Sequence, residues 1–506
     1  SGAPGVPGVL PGGLGAGLDA GLDAASLSAA SLQPGALATG PSVSATAALP
    51  DSLISPAERA APPIAAEAAP GPVIDAELAG ARAAVQEQPG WRYLQSLPMV
   101  RVLFADAPHF GHQTASLSLI RRLRDLGYRG AIEGVYGDPT NGWWDDPDNA
   151  ALRKLPTLIP GFDPKKDDQF IEGLDLRLRS DSSVNREGLR VPLALTGGAD
   201  EAAGFDARVR ADVFLHLSPT GWASGDRIRL RDTEYKNLGF DLKRTLVFRP
   251  EDASAPLGPR EAAWLGPSGL RGIAALEAAA PRVALMPAYG LQYHNAWGLF
   301  RVLTGLSEAM ARRPADYPKP VVVPVINQLY GLSDRMRVFG GDLGEPGARL
   351  LDRLRYADVF EPGLESVLSG LAPGQILLVE TGSVPSAAFE RLYGLASLPP
   401  ILEGRNARNL MLLLGAPFFS RMPHDFAHVS GAPGVAAAFG AAAQALLDQG
   451  SDAFEPFAAA FAVSATAASR AAFAASRVRQ DDLANDKLIF ALNALADAMS
   501  AGRRPQ

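Results

Sequence analysis

Short apolar runs alternate with amphipathic helical stretches twice along this chain, and this alternation constrains its fold more than any other feature. The first series begins at the run Val100-Arg-Val-Leu-Phe-Ala, and the second begins at Arg282-Val-Ala-Leu-Met-Pro. Strands that alternate with helices form parallel sheets with right-handed crossovers. The pattern therefore predicts an α/β fold with two Rossmann-like domains that face each other, joined near residues 274–281.

Composition divides the chain near residue 90. Residues 1–90 consist mainly of Ala, Gly, Pro, Ser and Leu, with few charges and no aromatic residue. Such a segment has little large apolar surface to offset the entropy lost on ordering, so we expect a disordered tail. We assign the first domain to residues 91–278. The second domain is assigned to residues 279–506, and its last part is an alanine-rich helical segment.

Charge and cysteine content limit the partners of the chain. A net charge of −7 with a pI near 5.5 gives no basic surface for nucleic acid or an anionic membrane. No apolar run reaches the eighteen or so residues of a membrane span. The absence of cysteine excludes disulfides and thiolate chemistry. These features favour the cytoplasm, and secretion stays open because a signal peptide upstream of Ser1 would not be seen.

Glycine-rich and polar loops follow the predicted strands, and this placement predicts a ligand site. Ligands of open α/β sheets bind beyond the carboxyl ends of the strands. Two facing sheets would point both sets of loops into one interdomain cleft, where pockets are common. The loops concerned are residues 106–114, 196–198, 218–221, 289–295, 380–383 and 403–409.

The helix after the first of these loops shows a clear amphipathic pattern. Leu117, Ile120 and Leu123 recur at helical spacing and are expected to face the core. The arginines of the same helix are expected to face solvent. They are Arg121, Arg122 and Arg124.

Segment 398–419 has the strongest local signal for an anion site. A buried apolar run ends at Glu403-Gly404, where a glycine lets the backbone turn tightly and approach a ligand. Asn406 is expected to cap the short helix that follows. Unpaired N–H groups at a helix start favour phosphate, and Arg405 and Arg408 would add positive charge. An ordinary strand–helix–strand unit of an α/β domain explains the same residues equally well.

These motifs, in this order, resemble the GT-B glycosyltransferases, and in particular the UDP-glycosyltransferases, over roughly residues 100–425. Gly111-His112-Gln113 is similar to the loop and helix start where that family can place an acceptor base. Gly382-Ser383 resembles its strand-end Gly-Ser motif. The segment Glu403 to Pro417 resembles its donor site, where a glycine turn and a helix hold the nucleotide diphosphate. His424-Asp425 lies where the family places a polar pair on the donor sugar.

The resemblance implies a role for each residue in these loops. His112 would accept the proton of an acceptor hydroxyl, and Asp106, Asp200 or Asp212 would fix its tautomer. A histidine that only caps the helix is the alternative. The residues that would bind the donor are His294, Asn295, Gly382, Ser383, Glu403, Gly404, Arg405, Asn406, Arg408, Asn409, His424 and Asp425.

Two departures from the family leave the donor nucleotide open. An apolar residue, Leu410 or Met411, stands where the family has a glutamate for the ribose hydroxyls. The second glutamate of many retaining members is also absent. We expect no cofactor beyond a UDP- or GDP-linked sugar as co-substrate, and no metal, because His424 and His428 have no evident third ligand.

The resemblance implies metal-independent transfer of a sugar, of the hexosyltransferase type, from a nucleotide-sugar donor to an unidentified acceptor. Two other functions fit the same fold. A nucleotide-sugar epimerase would need carboxylates on both sides of the sugar, whereas Glu380 and Glu403 both belong to the second domain. A protein that binds a nucleotide sugar or a carbohydrate without turnover would explain the missing ribose carboxylate.

Overall fold

The structure is a computed structural model that describes most of the chain from residue 71 to residue 501. The ranges that it describes are 71–104, 110–137, 151–198, 208–217, 226–231, 233–239, 244–251, 255–290, 297–326, 332–426, 429, 431–448 and 453–501.

The first half of the chain contains a sheet of eight strands. Its central five strands, β4, β2, β1, β5 and β6 in that order, are parallel, and antiparallel strands extend both edges. The strands are β1 (Met99–Leu103), β2 (Ala131–Tyr136), β3 (Asp168–Ile171), β4 (Leu176–Ser180), β5 (Val191–Thr196), β6 (Ala211–His216), β7 (Asp226–Leu230) and β8 (Thr233–Gly239). The apolar runs predicted β1, β2, β5 and β6, whereas the more polar edge strands β3, β7 and β8 were not predicted.

The second half contains a smaller sheet whose described strand pairs are all parallel. Its strands are β9 (Ala284–Leu285), β10 (Ala288–Tyr289), β11 (Val321–Ile326), β12 (Leu354–Asp358) and β13 (Ile376–Gly382). Isolated parallel bridges join Ala288 to Ile401 and Ile401 to Phe419, so the segment around Ile401 extends the sheet beside β10. Every residue of β11 is buried, which explains its continuous run of apolar residues.

Helices connect the strands in both halves. In chain order they are α1 (Gly71–Val85), α2 (Pro89–Gln95), α3 (Phe110–Asp125), α4 (Ala151–Leu158), α5 (Asp181–Glu187), α6 (Pro259–Ala279), α7 (Trp297–Arg312), α8 (Leu332–Asp342), α9 (Gly344–Arg353), α10 (Leu364–Ser369), α11 (Ser386–Gly394), α12 (Arg405–Leu414), α13 (Pro433–Leu447), α14 (Glu455–Ser464), α15 (Ala467–Ala475) and α16 (Lys487–Ser500). The prediction of an α/β fold with two mainly parallel sheets is confirmed.

The predicted disordered segment is too long at its C-terminal end. Residues 71–85 form α1, in which Leu78, Ala81 and Val85 are buried. These positions recur at helical spacing and form an apolar stripe that the average composition of residues 1–90 conceals. Residues 1–70 lie outside the described part of the chain, so the expectation of disorder there remains a prediction.

The last helix belongs to the core of the first half, which corrects the assignment of all residues from 279 to 506 to the second domain. Leu488, Leu492 and Leu495 of α16 are buried in the same apolar cluster as Trp91 of α2. Gly90 permits this packing, because a Cβ there would lie 2.2 Å from the backbone carbon of Leu492. The alanine-rich tail therefore crosses back from the second half to the first.

The two chain crossings between the halves lie side by side. A parallel bridge pairs Thr245, on the outward crossing, with Asp486, on the return crossing. The Thr245 N–H donates to the carbonyl of Asn485, and the Lys487 N–H donates to the carbonyl of Thr245. Gln480 adds a bond from its side-chain amide to the Phe248 carbonyl, 2.9 Å away. This pair of crossings joins the two halves next to α3.

The helices between Pro433 and Ala475 enclose an aromatic cluster in the second half. Phe419, beside the sheet, contacts Phe439, Phe457 and Phe461. Among the described residues, no single helix is long and apolar enough to cross a membrane. The pair α14 and α15, bent by 83°, would do so by length and composition only.

Candidate functional site

An open cleft with about 640 Å³ of empty space, which includes some bulk solvent, lies where the loops of both halves meet. Thr114 and Leu158 line it from the first half, and Tyr289, Ser383 and Asn406 line it from the second half. Four of the loops singled out from the sequence contribute to this lining. The structure thus brings together strand-end loops of both sheets, as the sequence pattern predicts.

Three helices begin at the cleft. Gly111 and Thr114 lie in the first turns of α3, Ser386 is the first residue of α11, and Asn406 lies in the first turn of α12. Neither α11 nor α12 has a side-chain cap on its first N–H groups, because Pro385 and Gly404 occupy the two N-cap positions. Uncapped helix starts carry partial positive charge and unsatisfied donors. The starts of α11 and α12 therefore favour an anion on that side of the cleft.

Gly404 makes the sharp turn that starts α12. Its φ of 96° and ψ of 149° fall in a region that only glycine enters readily. The preceding Glu403 packs against Gly290, which has a φ of 95° and where a Cβ would lie 2.3 Å from the Cβ of Glu403. Gly404 itself has open space around the position of a Cβ. The predicted glycine turn is present and opens onto the cleft.

Asn406 does not cap α12, so that prediction is wrong. The turn at Gly404 begins the helix two residues earlier than the prediction, and Asn406 lies within the first turn. Its side chain contacts the first half instead: Ser118 of α3 donates to Oδ1 of Asn406 across 3.3 Å. Asn406 is 6% exposed and lines the cleft, whereas Asn409, which is also buried, does not line it. Asn406 thus links the two sides of the cleft.

Arg408 and Asp425 are also placed differently from the prediction. Both were expected to contact the donor, yet they form an ion pair of 2.8 Å with side chains 4% and 2% exposed. Burial lowers the pKa of Arg408, and Asp425 opposes this shift. Ser420 donates a further hydrogen bond of 2.6 Å to Asp425. Neither residue of the pair lines the cleft, because α12 turns this face toward the core.

Glu403 lines the cleft and pairs with an arginine that sequence reasoning missed. Nη1 of Arg421 donates to Oε1 of Glu403 across 2.9 Å, and both side chains are partly exposed. The pair joins the end of the strand segment at Ile401 to the loop that follows the strand segment at Phe419. No local pattern indicated Arg421, because it lies eighteen positions after Glu403, with a helix and a strand segment between them.

Gly382 and Ser383 take the predicted position at the end of β13. Gly382 has a φ of 63° and ends the strand, and the exposed Ser383 lines the cleft immediately after it. The buried Thr381 holds this turn through a hydrogen bond of 3.2 Å from its hydroxyl to the Val325 carbonyl. The Gly-Ser turn is therefore fixed to the neighbouring strand and open to the cleft.

His112, the predicted base, lies in the first turn of α3 and is half-buried. Gly111 and Thr114, on either side of it, line the cleft, but His112 itself does not. Asp212, one possible partner, pairs with Arg190 at the start of β6, the end opposite the strand-end loops. Several other predicted site groups lie outside the described part of the chain. They are Asp106, Asp200, His294, Asn295, and the side chains of Arg405 and His424.

Two cleft residues on α11, Ser386 and Glu390, were not predicted. Glu390 is 5% exposed, and burial raises the pKa of its carboxyl although Arg121 pulls it down. Arg121 reaches it from α3 with an N–O distance of 2.5 Å. Arg121 therefore faces the second half, and Arg122 bonds to Asp486 on the return crossing, so neither faces solvent as predicted for this helix. Helical periodicity cannot distinguish a solvated face from one that meets charged partners.

Comparison with known proteins gives only loose structural similarities. No family model matches the chain, and no curated protein matches it. One similar solved structure is a UDP-forming α,α-trehalose-phosphate synthase from Burkholderia xenovorans in complex with glucose-6-phosphate. It is 12% identical, with 84% of this chain and 77% of that chain covered and a TM-score of 0.29. The trehalose 6-phosphate synthase of Burkholderia multivorans is 13% identical, with 85% and 77% covered and a TM-score of 0.27. At these values we infer neither fold nor function from the likeness.

Proposed function

We propose that the protein is a glycosyltransferase that moves a sugar from a nucleotide-sugar donor to an acceptor hydroxyl in the cleft. The observation that carries this proposal is the pair of uncapped helices, α11 and α12, that begin at one cleft after the turns at Gly382 and Gly404. A diphosphate placed there would accept hydrogen bonds from backbone N–H groups and interact favourably with both helix dipoles.

The proposed chemistry needs two contributions from the chain. The leaving diphosphate gains negative charge as the sugar departs, and fixed N–H dipoles stabilise that charge without reorganising. A base must also take the proton of the acceptor hydroxyl. His112 remains our candidate base, because its helix turn borders the cleft. Donor contacts from Ser383, Glu403 and Asn406, which line the cleft, complete the proposed site.

Metal independence is also part of the proposal. The two helix starts can stabilise part of the charge of a diphosphate without a divalent ion. Among the described residues, no group of three or more His, Asp or Glu side chains could hold a metal ion. Addition of a chelator to the assay would test this point directly, and loss of activity on chelation would contradict it.

One observation favours a second candidate, a protein that binds its ligand without turnover. The cleft residues that the structure describes include no histidine. The two glutamates that line the cleft, Glu390 and Glu403, are both paired with arginines. An arginine that hydrogen-bonds a carboxylate occupies oxygen lone pairs that would otherwise receive the proton of an acceptor hydroxyl. Both glutamates also come from the second half, which argues against an epimerase with carboxylates on opposite sides of the sugar.

The test begins with calorimetric titration of UDP, GDP, uridine and guanosine. We expect the diphosphates to bind more tightly than the nucleosides, and Gly404→Val to abolish binding, because a branched side chain strains the turn and obstructs backbone approach. Gly363→Val is the matched control: Gly363 also precedes a helix with positive φ and open space, and it does not line the cleft. Diphosphates that bind no better than nucleosides would remove the proposal.

Turnover separates the two candidates. A panel of UDP- and GDP-linked sugars is incubated with the wild type, and the released nucleotide is measured with and without a mixture of hydroxyl acceptors. Release of nucleotide diphosphate from at least one donor supports the transferase. Tight binding of a donor without release of its nucleotide supports a protein that binds its ligand without turnover.

A further inference from the structure

One face of α3 holds the second half of the protein through polar side chains. Ser118, Arg121 and Arg122 lie three and four residues apart, so they share one face of the helix. Ser118 contacts Asn406, Arg121 contacts α11, and Arg122 contacts the return crossing. A helix assigned to the first half is thus bonded to three separate segments of the remaining chain.

Arg121 bonds to two residues of the cleft wall at once. Its guanidinium lies 2.5 Å from Oε1 of Glu390 and 3.3 Å from the hydroxyl of Ser386. These residues are four apart on α11, so one side chain holds the whole first turn of that helix. Glu251, on the outward crossing, pairs with Arg121 at 3.2 Å and donates its N–H to Oε2 of Glu390 at 3.0 Å. The three charged groups form a closed cluster.

Arg122 makes a contact of a different kind. Its Nε donates to Asp486 at 2.7 Å, and the two side chains are 1% and 0% exposed. It also donates to the side chain and carbonyl of Gln480. Separating a buried pair of this kind leaves an uncompensated charge and is strongly unfavourable. By contrast, Arg121 is 17% and Glu251 is 40% exposed, so water reaches the Arg121 cluster.

We propose that Arg121 is a positioning residue of the cleft, which acts through Glu390 and Ser386 to hold the first turn of α11 in the orientation that binds the ligand. The buried Arg122–Asp486 pair joins α3 to the return crossing and should persist when a substitution breaks the Arg121 cluster. The nature of the ligand rests on the proposed function, whereas the hold of Arg121 on α11 does not depend on it.

The ionisation of Glu390 would influence this arrangement. The groups that surround it are Arg121 of α3 and Glu251 of the outward crossing, with Asp125 close to Arg121 and Arg249 close to Asp125. Burial raises the pKa of Glu390, so its negative charge is lost at a higher pH than that of an exposed glutamate. The attraction to Arg121 is present above this pKa and weakens as the pH falls through it. As the pH falls, α11 should therefore loosen at a higher pH than it would if Glu390 had the pKa of an exposed glutamate.

The first experiment measures amide hydrogen exchange in the first turn of α11, without ligand. Arg121→Ala and Glu390→Gln are expected to speed exchange at residues 389–392, whose N–H groups are the first in α11 to bond to helix carbonyls, by roughly tenfold, because each variant removes a charge-assisted bond that holds the turn. Arg121→Lys should recover part of the protection. Arg312→Ala, which breaks an Arg312–Glu455 pair on the other side of the second half, is the matched control and should leave these amides unchanged. Unchanged exchange in Arg121→Ala and Glu390→Gln would overturn the proposal.

The second experiment titrates UDP into the same variants between pH 5 and pH 8. UDP affinity should fall about tenfold in Arg121→Ala and Glu390→Gln at neutral pH. On acidification, the wild type should lose more UDP affinity than Glu390→Gln, because only the wild type can protonate Glu390. Protonation of the UDP phosphate affects both proteins equally. Equal pH profiles together with equal affinities would contradict the positioning role. A wild type that binds neither UDP nor GDP would remove the proposed function, and hydrogen exchange would still decide the role of Arg121.

Discussion

Nε of Arg408 lies 2.8 Å from Oδ1 of Asp425, and both side chains are almost completely buried. This pair joins α12 to the turn at Pro423–Phe426, after the last strand segment of the second sheet. The helix that presents its start to the cleft is therefore fixed from behind by a charge pair. Its orientation depends on the protein interior and not on the ligand.

Arg408→Ala should lower the free energy of unfolding by about 3–5 kcal/mol, because it leaves the charge of Asp425 buried without its partner. The double variant Arg408→Ala/Asp425→Ala should lose less than the sum of the two single variants. Urea unfolding monitored by circular dichroism measures all three. Additive losses would show that the two side chains do not interact.

Gly404→Ala should lower the free energy of unfolding by about 1–3 kcal/mol through backbone strain alone, because the added Cβ meets no neighbour. Gly434→Ala is the control: this glycine lies in the first turn of α13, also has open space, and is not among the glycines with positive φ. The control should be neutral or slightly stabilising. Equal unfolding midpoints in urea for both variants would argue against strain at Gly404.

Deleting residues 1–70 should leave the melting temperature nearly unchanged, since that segment lacks core-forming residues. Deleting residues 1–95 should lower the melting temperature strongly, because Trp91 and Leu94 would leave the apolar core that α16 completes. Calorimetry of the two truncated proteins compares these cases. A large loss already at residue 70 would mean that the earlier segment contributes to the fold.

Gly90→Ala should destabilise the first half without touching the cleft. The added methyl would lie 2.2 Å from the Leu492 backbone, so α2 and α16 must move apart. Overpacking of this kind typically costs about 1–3 kcal/mol. Urea unfolding should show the loss, and calorimetric binding of UDP at low temperature should stay as in the wild type. A stability equal to wild type would contradict the close contact.

His112→Ala should reduce sugar transfer about a hundredfold or more, the usual contribution of a positioned general base. Donor affinity, measured by calorimetry, should change little, because the histidine is assigned to the acceptor. Turnover equal to that of the wild type would show that His112 has no role in catalysis. In that case another group would have to accept the proton.

Local periodicity was sufficient for the apolar strands β1, β2, β5, β6, β11 and β13 and for the loops that line the cleft. The uniformly apolar Val321–Ile326 is a buried strand, and the glycines at 382 and 404 form turns at strand ends. Both features depend on neighbouring residues only, so a single sequence reveals them. The error at Asn406 was one of turn geometry, because the sequence does not show that Gly404 has positive φ and begins the helix itself.

Long-range partners account for the remaining errors. The apolar residues of α1 and α2 are part of the core because they pack with α16, which lies about 400 residues later in the chain. The local sequence does not reveal this contact. Arg121 and Arg122 occupy the polar face of an amphipathic helix, and that pattern is the same whether water or a carboxylate faces it. Arg408 was misjudged for the same reason. Which charge a buried arginine meets is decided by the assembled fold.

The position of α16 has a consequence for how this polypeptide is made. During translation the first half emerges from the ribosome long before α16, yet Leu488 and Leu492 of α16 fill the core beside Trp91. That half must wait with an uncovered apolar surface while the second half is synthesised. Its completion is delayed until the last helix leaves the exit tunnel, so a stalled or shortened chain would expose a surface that chaperones and proteases recognise.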